Sequence, residues 1–382
     1  MRLAISIVLG ALAACSPAPA EQARKTAPQA PRPPVFTVQP GAFKRPMALA
    51  FLPDGRILVG QADGRMLVRK PDGSVLPVAG MPASAMLRDI AVMPGARGGS
   101  IVYFAYSEPR KAGGWLAVGR ATIAAGGGAL DTVQTLWRGQ AERLDGSLAG
   151  AVAVSPDQRT LYFSAARERW GLAGPNADKR PPRVRGKKRP ILSLATIFRI
   201  ALPAPAASGL LPLRGLRTTP VSAGHRNPLG LGIAADGRLW ESDMGPKGGD
   251  ELNLILPGRD YGWPHASNGD NYDGSVIPDH RAGDGYEPPK LFWNPSVSPA
   301  GFLIYTGALF PEWRGSAFMG ALSGEALVRV AIRGATAAKA DQWPMHARIR
   351  DVAQAPDGAI WLIEDEARGS LGRLIRVTPA GR

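Results

Sequence analysis

Short runs of alternating apolar and polar residues recur along the chain, each broken by a Pro-Asp-Gly type turn and followed by a second run of the same kind. Leu49 to Leu52 leads into Pro53-Asp54-Gly55 and then Ile57-Leu-Val59. The phrase returns at Val152 to Asp157 before Leu161-Tyr-Phe163, at Leu231 to Gly237 before Leu239-Trp240, and at Val352 to Gly358 before Ile360-Trp-Leu362. Ile90 to Pro94 before Ile101-Val-Tyr-Phe104 is another copy, and Phe302 to Tyr305 with Phe318 to Leu322 and Leu327 to Val330 is a looser one. Period-2 alternation places one face of each run against a neighbouring sheet, while Asp-Gly supplies the positive φ of a tight hairpin. About six units at a spacing of roughly 40 to 80 residues predict an all-β fold, a six-bladed β-propeller with long loops. A β-sandwich is the alternative, but its strand pairs have no reason to repeat one phrase. The 47 Gly and 36 Pro, and the lack of sustained helical periodicity after the opening residues, agree with many short strands.

The first residues follow another pattern. Met1-Arg2 precedes an apolar run from Leu3 to Ala14, too short to span a bilayer stably, which reads as an export signal over residues 1–14. It ends in Leu12-Ala-Ala-Cys15, a lipobox-like sequence, and Cys15 is the one cysteine in the chain. A lone cysteine in an exported protein has no internal disulfide partner, so lipidation is the economical role. Ser16 at the next position favours outer-membrane sorting. Residues 15–34, rich in Pro, Ala and Gln, read as a disordered tether, and 35–382 as one large domain. The expected location is therefore the periplasm, attached to the membrane by lipid. Nucleic acid is an unsuitable partner for an exported protein despite the net charge of +15, much of which sits between Arg167 and Arg189. That Pro- and Gly-rich stretch reads as a solvated loop or as electrostatic attachment to an anionic envelope surface.

Candidate chemistry concentrates further on. Gly224-His225-Arg226-Asn227-Pro228 is followed by Gly245-Pro246-Lys-Gly-Gly-Asp250-Glu251-Leu-Asn253 and by Tyr261-Gly-Trp263-Pro264. Trp293-Asn-Pro-Ser-Val-Ser-Pro299, Phe310-Pro-Glu-Trp313-Arg-Gly315 and Arg348-Ile-Arg350-Asp351 come later. Together these closely resemble the glucose/sorbosone dehydrogenase family, six-bladed propellers that bind pyrroloquinoline quinone (PQQ) and calcium. PQQ has three carboxylates and an ortho-quinone and wants cations and donors around its rim. By this resemblance Arg226 and Asn227 contact the quinone side, and Arg348 and Arg350 pair with carboxylates. The carbonyls of Gly245 and Pro246 hold a calcium ion, a hard cation suited to oxygen ligands. A second calcium takes backbone oxygens at Glu251 and Tyr261. Trp263 and Pro264 read as wedge residues that shape the blade.

The resemblance also implies differences. The family's general base is a histidine; alignment puts Ser147 there, and the four histidines, His225, His265, His280 and His346, all lie in the second half. An unactivated hydroxyl is too weak a base, so Glu142, Asp145 and Glu168 are the candidate substitutes and the catalytic residue stays open. Ser84 aligns with a glutamine that contacts PQQ, and Ser323 with a lysine. The expected activity is PQQ- and calcium-dependent oxidation of an aldose or related sugar aldehyde, with electrons passing to an external acceptor. The alternative is a propeller that keeps a ligand or calcium centre without turnover; a lactonase-like hydrolase is a third reading, for which no central Glu, Asn and Asp cluster can be assembled. Asn268 to Gly274 has calcium-loop composition without EF-hand spacing and reads as a loop.

Overall fold

The repeated Asp-Gly phrase folds the same way each time. Gly55, Gly237 and Gly358 take φ of 82°, 83° and 85°, which an L side chain rarely adopts. The preceding Asp54, Asp236 and Asp357 each accept the backbone N–H two residues on, at 3.1, 3.1 and 2.9 Å. In the third copy Gln158 stands where the others have glycine and still reaches φ 58°, with Asp157 accepting the Arg159 N–H at 3.0 Å. Each turn joins the innermost strand of a sheet to its second strand.

The computed structural model describes residues 32–381 except 84, 111–112, 140–147, 168–194 and 204–209. The expected export signal, Cys15, most of the tether, Ser84, Glu142, Asp145, Ser147, Glu168 and the basic stretch beyond Arg167 lie outside the described residues. Six antiparallel sheets follow one another along the chain. Their innermost strands are Pro46–Phe51, Met86–Pro94, Val152–Val154, Pro228–Ile233, Pro299–Ile304 and Ile349–Gln354, here called blades one to six. Each innermost strand packs against the next, and Pro46–Phe51 also packs against Ile349–Gln354, so the ring closes. The expected six-bladed propeller is the fold. Hydrogen bonds between the two chain ends lock the ring: the first strand, Pro34–Ala42, pairs antiparallel with the last, Arg373–Pro379, and completes blade six from outside. The sequence patterning did not single this strand out.

The core is divided among the seams. Phe104 and Leu87 pack with Leu58 and Met66 between blades one and two, and Phe163 and Phe198 with Tyr103 and Val118 between two and three. Trp240 and Leu252 meet Met319 and Val328 between four and five. Phe318 and Leu327 meet Leu362 and Val377 between five and six. Ile57 and Val59 meet Ile363 and Leu374 across the closing seam, and Ala151 and Ile197 meet Leu231 and Leu239 between three and four. Alternation along each strand thus buries two faces, one in each seam, which removes free faces without a helix layer.

Polar stitches cross the seams near the centre. Asp351 Oδ2 accepts the Leu49 N–H at 2.6 Å, Asp89 Oδ2 accepts the Val152 N–H at 2.8 Å, and the Ser164 hydroxyl donates to the Pro228 carbonyl at 2.9 Å. Burial pushes the Asp351 carboxyl up to about 7, against the backbone donors and the Arg350 charge that pull it down. Burial, with the Asp351 charge second, holds Asp89 well above the usual carboxylate range. Unfolded aspartates ionise near pH ~4, so between about pH 4 and 7 the folded protein keeps protons that the unfolded chain has released. Stability from these groups is therefore fully present at the acid end and lost as pH rises to about 7. Thermal denaturation should show stability falling as pH rises across that window, and Asp351→Asn should make the fall shallower.

Candidate functional site

At one end of the central channel the loops between strands enclose a cleft of about 820 Å³. Asn227 enters it from the start of blade four, Pro246 from the turn after Leu239–Asp243, and Arg348 and Arg350 from the start of blade six. Residues far apart in sequence meet here because every blade delivers the same end of its innermost strand to the channel mouth. Arg45, Arg88, Lys247 and Arg368 add further cationic groups. Asp270 is the one carboxylate among the described residues that line it, and no histidine is among them.

The Arg226-Asn227 turn is held from below. Asp243 accepts both backbone N–H groups, that of Arg226 at 2.8 Å and that of Asn227 at 2.5 Å. The Arg226 guanidinium donates to the Met244 carbonyl at 2.7 Å and lies 5.3 Å from the Trp263 ring centre and 6.0 Å from that of Tyr272. Arg226 therefore backs the cleft through Met244, a lining residue, while Asn227 faces it directly. Trp263, read as a wedge, is buried at 8% exposure and serves as the surface on which Arg226 rests. The Asn227 Oδ1 atom is buried with no hydrogen-bond partner among the described residues.

The Gly245-Pro246 step is anchored by Asp250. Its Oδ1 accepts the Gly245 N–H at 2.9 Å, and its Oδ2 accepts the Val297 and Ser298 N–H groups, each at 2.7 Å, and the Ser296 hydroxyl at 2.7 Å. Asp250 is fully buried and ties the step to the loop entering blade five. Gly245 has no room for a side chain: a Cβ there would sit 2.4 Å from both the Gly248 and Gly249 carbonyl oxygens. The step itself offers backbone carbonyl oxygens, the donor type a hard cation takes. The ribbon pairing Lys247 with Asp270 and Gly248 with Gly269 then carries Asp270 and Tyr272 to the cleft, with Tyr272 75% exposed.

Glu251 and Tyr261 are placed elsewhere. The Glu251 carboxylate is buried beside Asn253, whose Nδ2 donates to it at 3.1 Å, and 3.6 Å from His280 Nε2. The Tyr261 hydroxyl donates to the Leu254 carbonyl at 2.5 Å and its ring stacks on His225 at 4.7 Å. Neither lines the cleft. Arg348, expected to pair with an anionic ligand, already has a protein partner: its Nε lies 2.9 Å from Asp365 Oδ2. Where a lysine was expected, Ser323 joins Ser298 through their hydroxyls at 2.7 Å. The composition of residues 268–274 suggests only a loop; the adjacency of Asp270 and Tyr272 to Pro246 is a product of ribbon pairing, invisible in composition.

These residues fit the expected cofactor. The cationic rim suits a tricarboxylate, the Asn227 amide nitrogen is a donor for a quinone oxygen, and the volume admits a tricyclic ring. Comparison with known proteins points the same way. The family description Glucose / Sorbosone dehydrogenase matches residues 43–376. The aldose sugar dehydrogenase YliI of Escherichia coli K12 is 28% identical over 349 residues, 87% of this chain and 90% of that protein. Quinoprotein glucose dehydrogenase B of Acinetobacter calcoaceticus is 27% identical over 177 residues, 45% of this chain and 36% of that protein. The apo crystal structure of the soluble aldose sugar dehydrogenase of Escherichia coli superposes with a TM-score of 0.74 at 25% identity, over 91% of this chain and 100% of that one. With the fold, the cleft and the match over most of its length in agreement, this chain belongs to the glucose/sorbosone dehydrogenase family.

Proposed function

We propose that the protein oxidises an aldose or related sugar aldehyde with PQQ and calcium and passes the electrons to an external acceptor. The observation that carries this is the meeting in one cleft of Asn227, Pro246, Arg348 and Arg350, which come from two blades. Arg348 and Arg350 bind cofactor carboxylates, Asn227 hydrogen-bonds on the quinone side with Arg226 bracing its turn, and the carbonyls of Gly245 and Pro246 hold the calcium. When bound, PQQ supplies a two-electron acceptor for the sugar hydride and calcium the Lewis acidity that polarises it. Tyr272 offers the sugar an exposed aromatic face, and Asp270 is the described carboxylate placed to take the hydroxyl proton. A second calcium at the backbone oxygens of Glu251 and Tyr261 belongs to the same reading.

The test is spectroscopic titration with PQQ in the presence of calcium, followed by dye reduction with a panel of aldoses. Saturable quinone binding and sugar-dependent reduction are expected; absence of both would sink the assignment. The lack of a histidine among the described cleft residues favours a second reading, a propeller that binds its ligand without turnover. Quinone binding with no dye reduction would select it. The same proposal puts the protein in the periplasm, anchored to the outer membrane through lipid on Cys15. Cys15→Ser should move it from the membrane fraction to the soluble periplasmic fraction, and unchanged membrane attachment would refute the anchor.

A further inference from the structure

Behind the cleft, on the side of the Arg226-Asn227 turn away from the cofactor rim, lies a polar cluster that the proposed oxidation does not use. His225, Glu241 and Asn253 have no exposed surface, and Asp243 is 4% exposed. His225 Nδ1 is 3.7 Å from Glu241 Oε2 and 3.8 Å from Asp243 Oδ2. One donor atom from each of the three side chains can be chosen so that all lie within 4.8 Å of one another. These separations are too long for hydrogen bonds, and His225 Nδ1, Glu241 Oε1 and Asn253 Oδ1 have no hydrogen-bond partner among the described residues.

The surroundings leave a gap of one sign. The other imidazole nitrogen, Nε2, is hydrogen-bonded to the Ser222 hydroxyl at 2.8 Å. If Nε2–H donates, Nδ1 turns a bare lone pair toward two carboxylates. With the opposite tautomer, its N–H falls short of both. Glu251 adds a third carboxylate, joined to Glu241 through Asn253, whose Nδ2 donates to both at 3.0 and 3.1 Å. Burial of like charges together is costly without a cation. The Arg226 guanidinium hydrogen-bonds to the Met244 carbonyl while its charge still acts on Asp243, and Glu251 has His280 Nε2 at 3.6 Å, which leaves Glu241 as the carboxylate of the three without a cationic partner among the described residues.

We propose that His225, Glu241 and Asp243 form a binding site for a divalent transition-metal ion of the zinc or manganese class. One imidazole nitrogen with two carboxylates is a donor set for such ions. Tetrahedral bonds of about 2.0–2.2 Å put donors about 3.4 Å apart, so His225 would close on Glu241 and on Asp243 by a few tenths of an ångström, with the two carboxylates turning toward each other to complete the set. The nitrogen ligand separates this site from calcium at the Gly245-Pro246 carbonyls, and Ser222 fixes the ring as an outer-shell partner does for metal-bound histidine. Burial holds His225 neutral, its value lowered to about 3, which is the ligating form. Burial and then the Asp243 charge raise Glu241 well above its ordinary value, the penalty a cation would relieve. Because Asp243 also carries the Arg226 and Asn227 amides, the ion would brace the turn that faces the cofactor cleft.

The test uses the full chain produced in medium supplied with zinc and manganese, washed with chelator while folded, and measured for metals by mass spectrometry. About one equivalent of transition metal per chain is expected, separate from calcium. Protein produced with cobalt should show the strong visible d–d absorption of a four- or five-coordinate ion, which cobalt in an all-oxygen calcium site gives only weakly. Glu241→Gln, which keeps the shape and an oxygen for Asn253, should remain folded by circular dichroism and lose that metal and that absorption. Only trace transition metal in the wild type together with no cobalt spectrum would overturn the proposal, as would a Glu241→Gln protein that holds the metal as fully as the wild type. Quinone binding is not part of the readout, so failure here leaves the dehydrogenase reading standing.

Discussion

Asp250→Ala is expected to destabilise the protein by about 3–5 kcal/mol and to weaken calcium-dependent quinone binding by more than about tenfold. One buried carboxylate receives four hydrogen bonds, three of them from backbone N–H groups of Gly245, Val297 and Ser298. Removing it strands all three amides, and each that stays buried costs about 1–3 kcal/mol. The effect on binding follows from geometry, because the amide released at Gly245 belongs to the step whose carbonyls would face the calcium. Asp250→Asn should lose less, since one amide oxygen can still accept, but its NH₂ would oppose one set of donors. Chemical denaturation and quinone titration on the same preparations would separate the two consequences. Wild-type stability in the alanine variant would refute the role given to this hub.

How much of this was legible in the sequence depended on whether partners were near in the chain. The blade count came from a local phrase: the Asp-Gly turn sets its own geometry through the Asp side chain and the glycine φ, and the structure repeats it at residues 54–55, 236–237 and 357–358. Even Gln158, which breaks the rule at the glycine position, is held in that turn by Asp157. The closing strand was not legible. Pro34–Ala42 is largely exposed and its register is set by residues more than three hundred positions away, at Arg373–Pro379. The contiguous motifs around Arg226 and Gly245 could be read as candidates because backbone and side chain act within a few residues. Their supports could not: Asp243 beneath Asn227, Asp365 beside Arg348 and Asp250 beneath Gly245 follow from strand pairing and seam packing. Arg348 shows the cost of reasoning from one residue, since the anionic partner inferred to be a ligand is partly supplied by the protein.

Asp270→Asn is expected to lower kcat by about 10²–10⁴-fold, the usual worth of a general base, while leaving quinone affinity near the wild-type value. Loss of the sugar hydroxyl proton has to be matched by a group at the mouth of the cleft, and a serine at the aligned position cannot accept it. Among the described lining residues Asp270 alone has a carboxylate. Its placement is not an accident of a free loop, because the pairing of Lys247 with Asp270 and Gly248 with Gly269 fixes it beside the Gly245-Pro246 step. The substitution is nearly isosteric, so a fall in kcat with unchanged quinone titration would isolate proton transfer from cofactor binding. Glu142→Gln, Asp145→Asn and Glu168→Gln, at the candidate bases read from the sequence, are the competing variants, and with Asp270 as the base each should retain turnover. If Asp145→Asn were inactive and Asp270→Asn active, the base would lie in the segment before blade three, and the ribbon that carries Asp270 and Tyr272 would be left with substrate contact as its role.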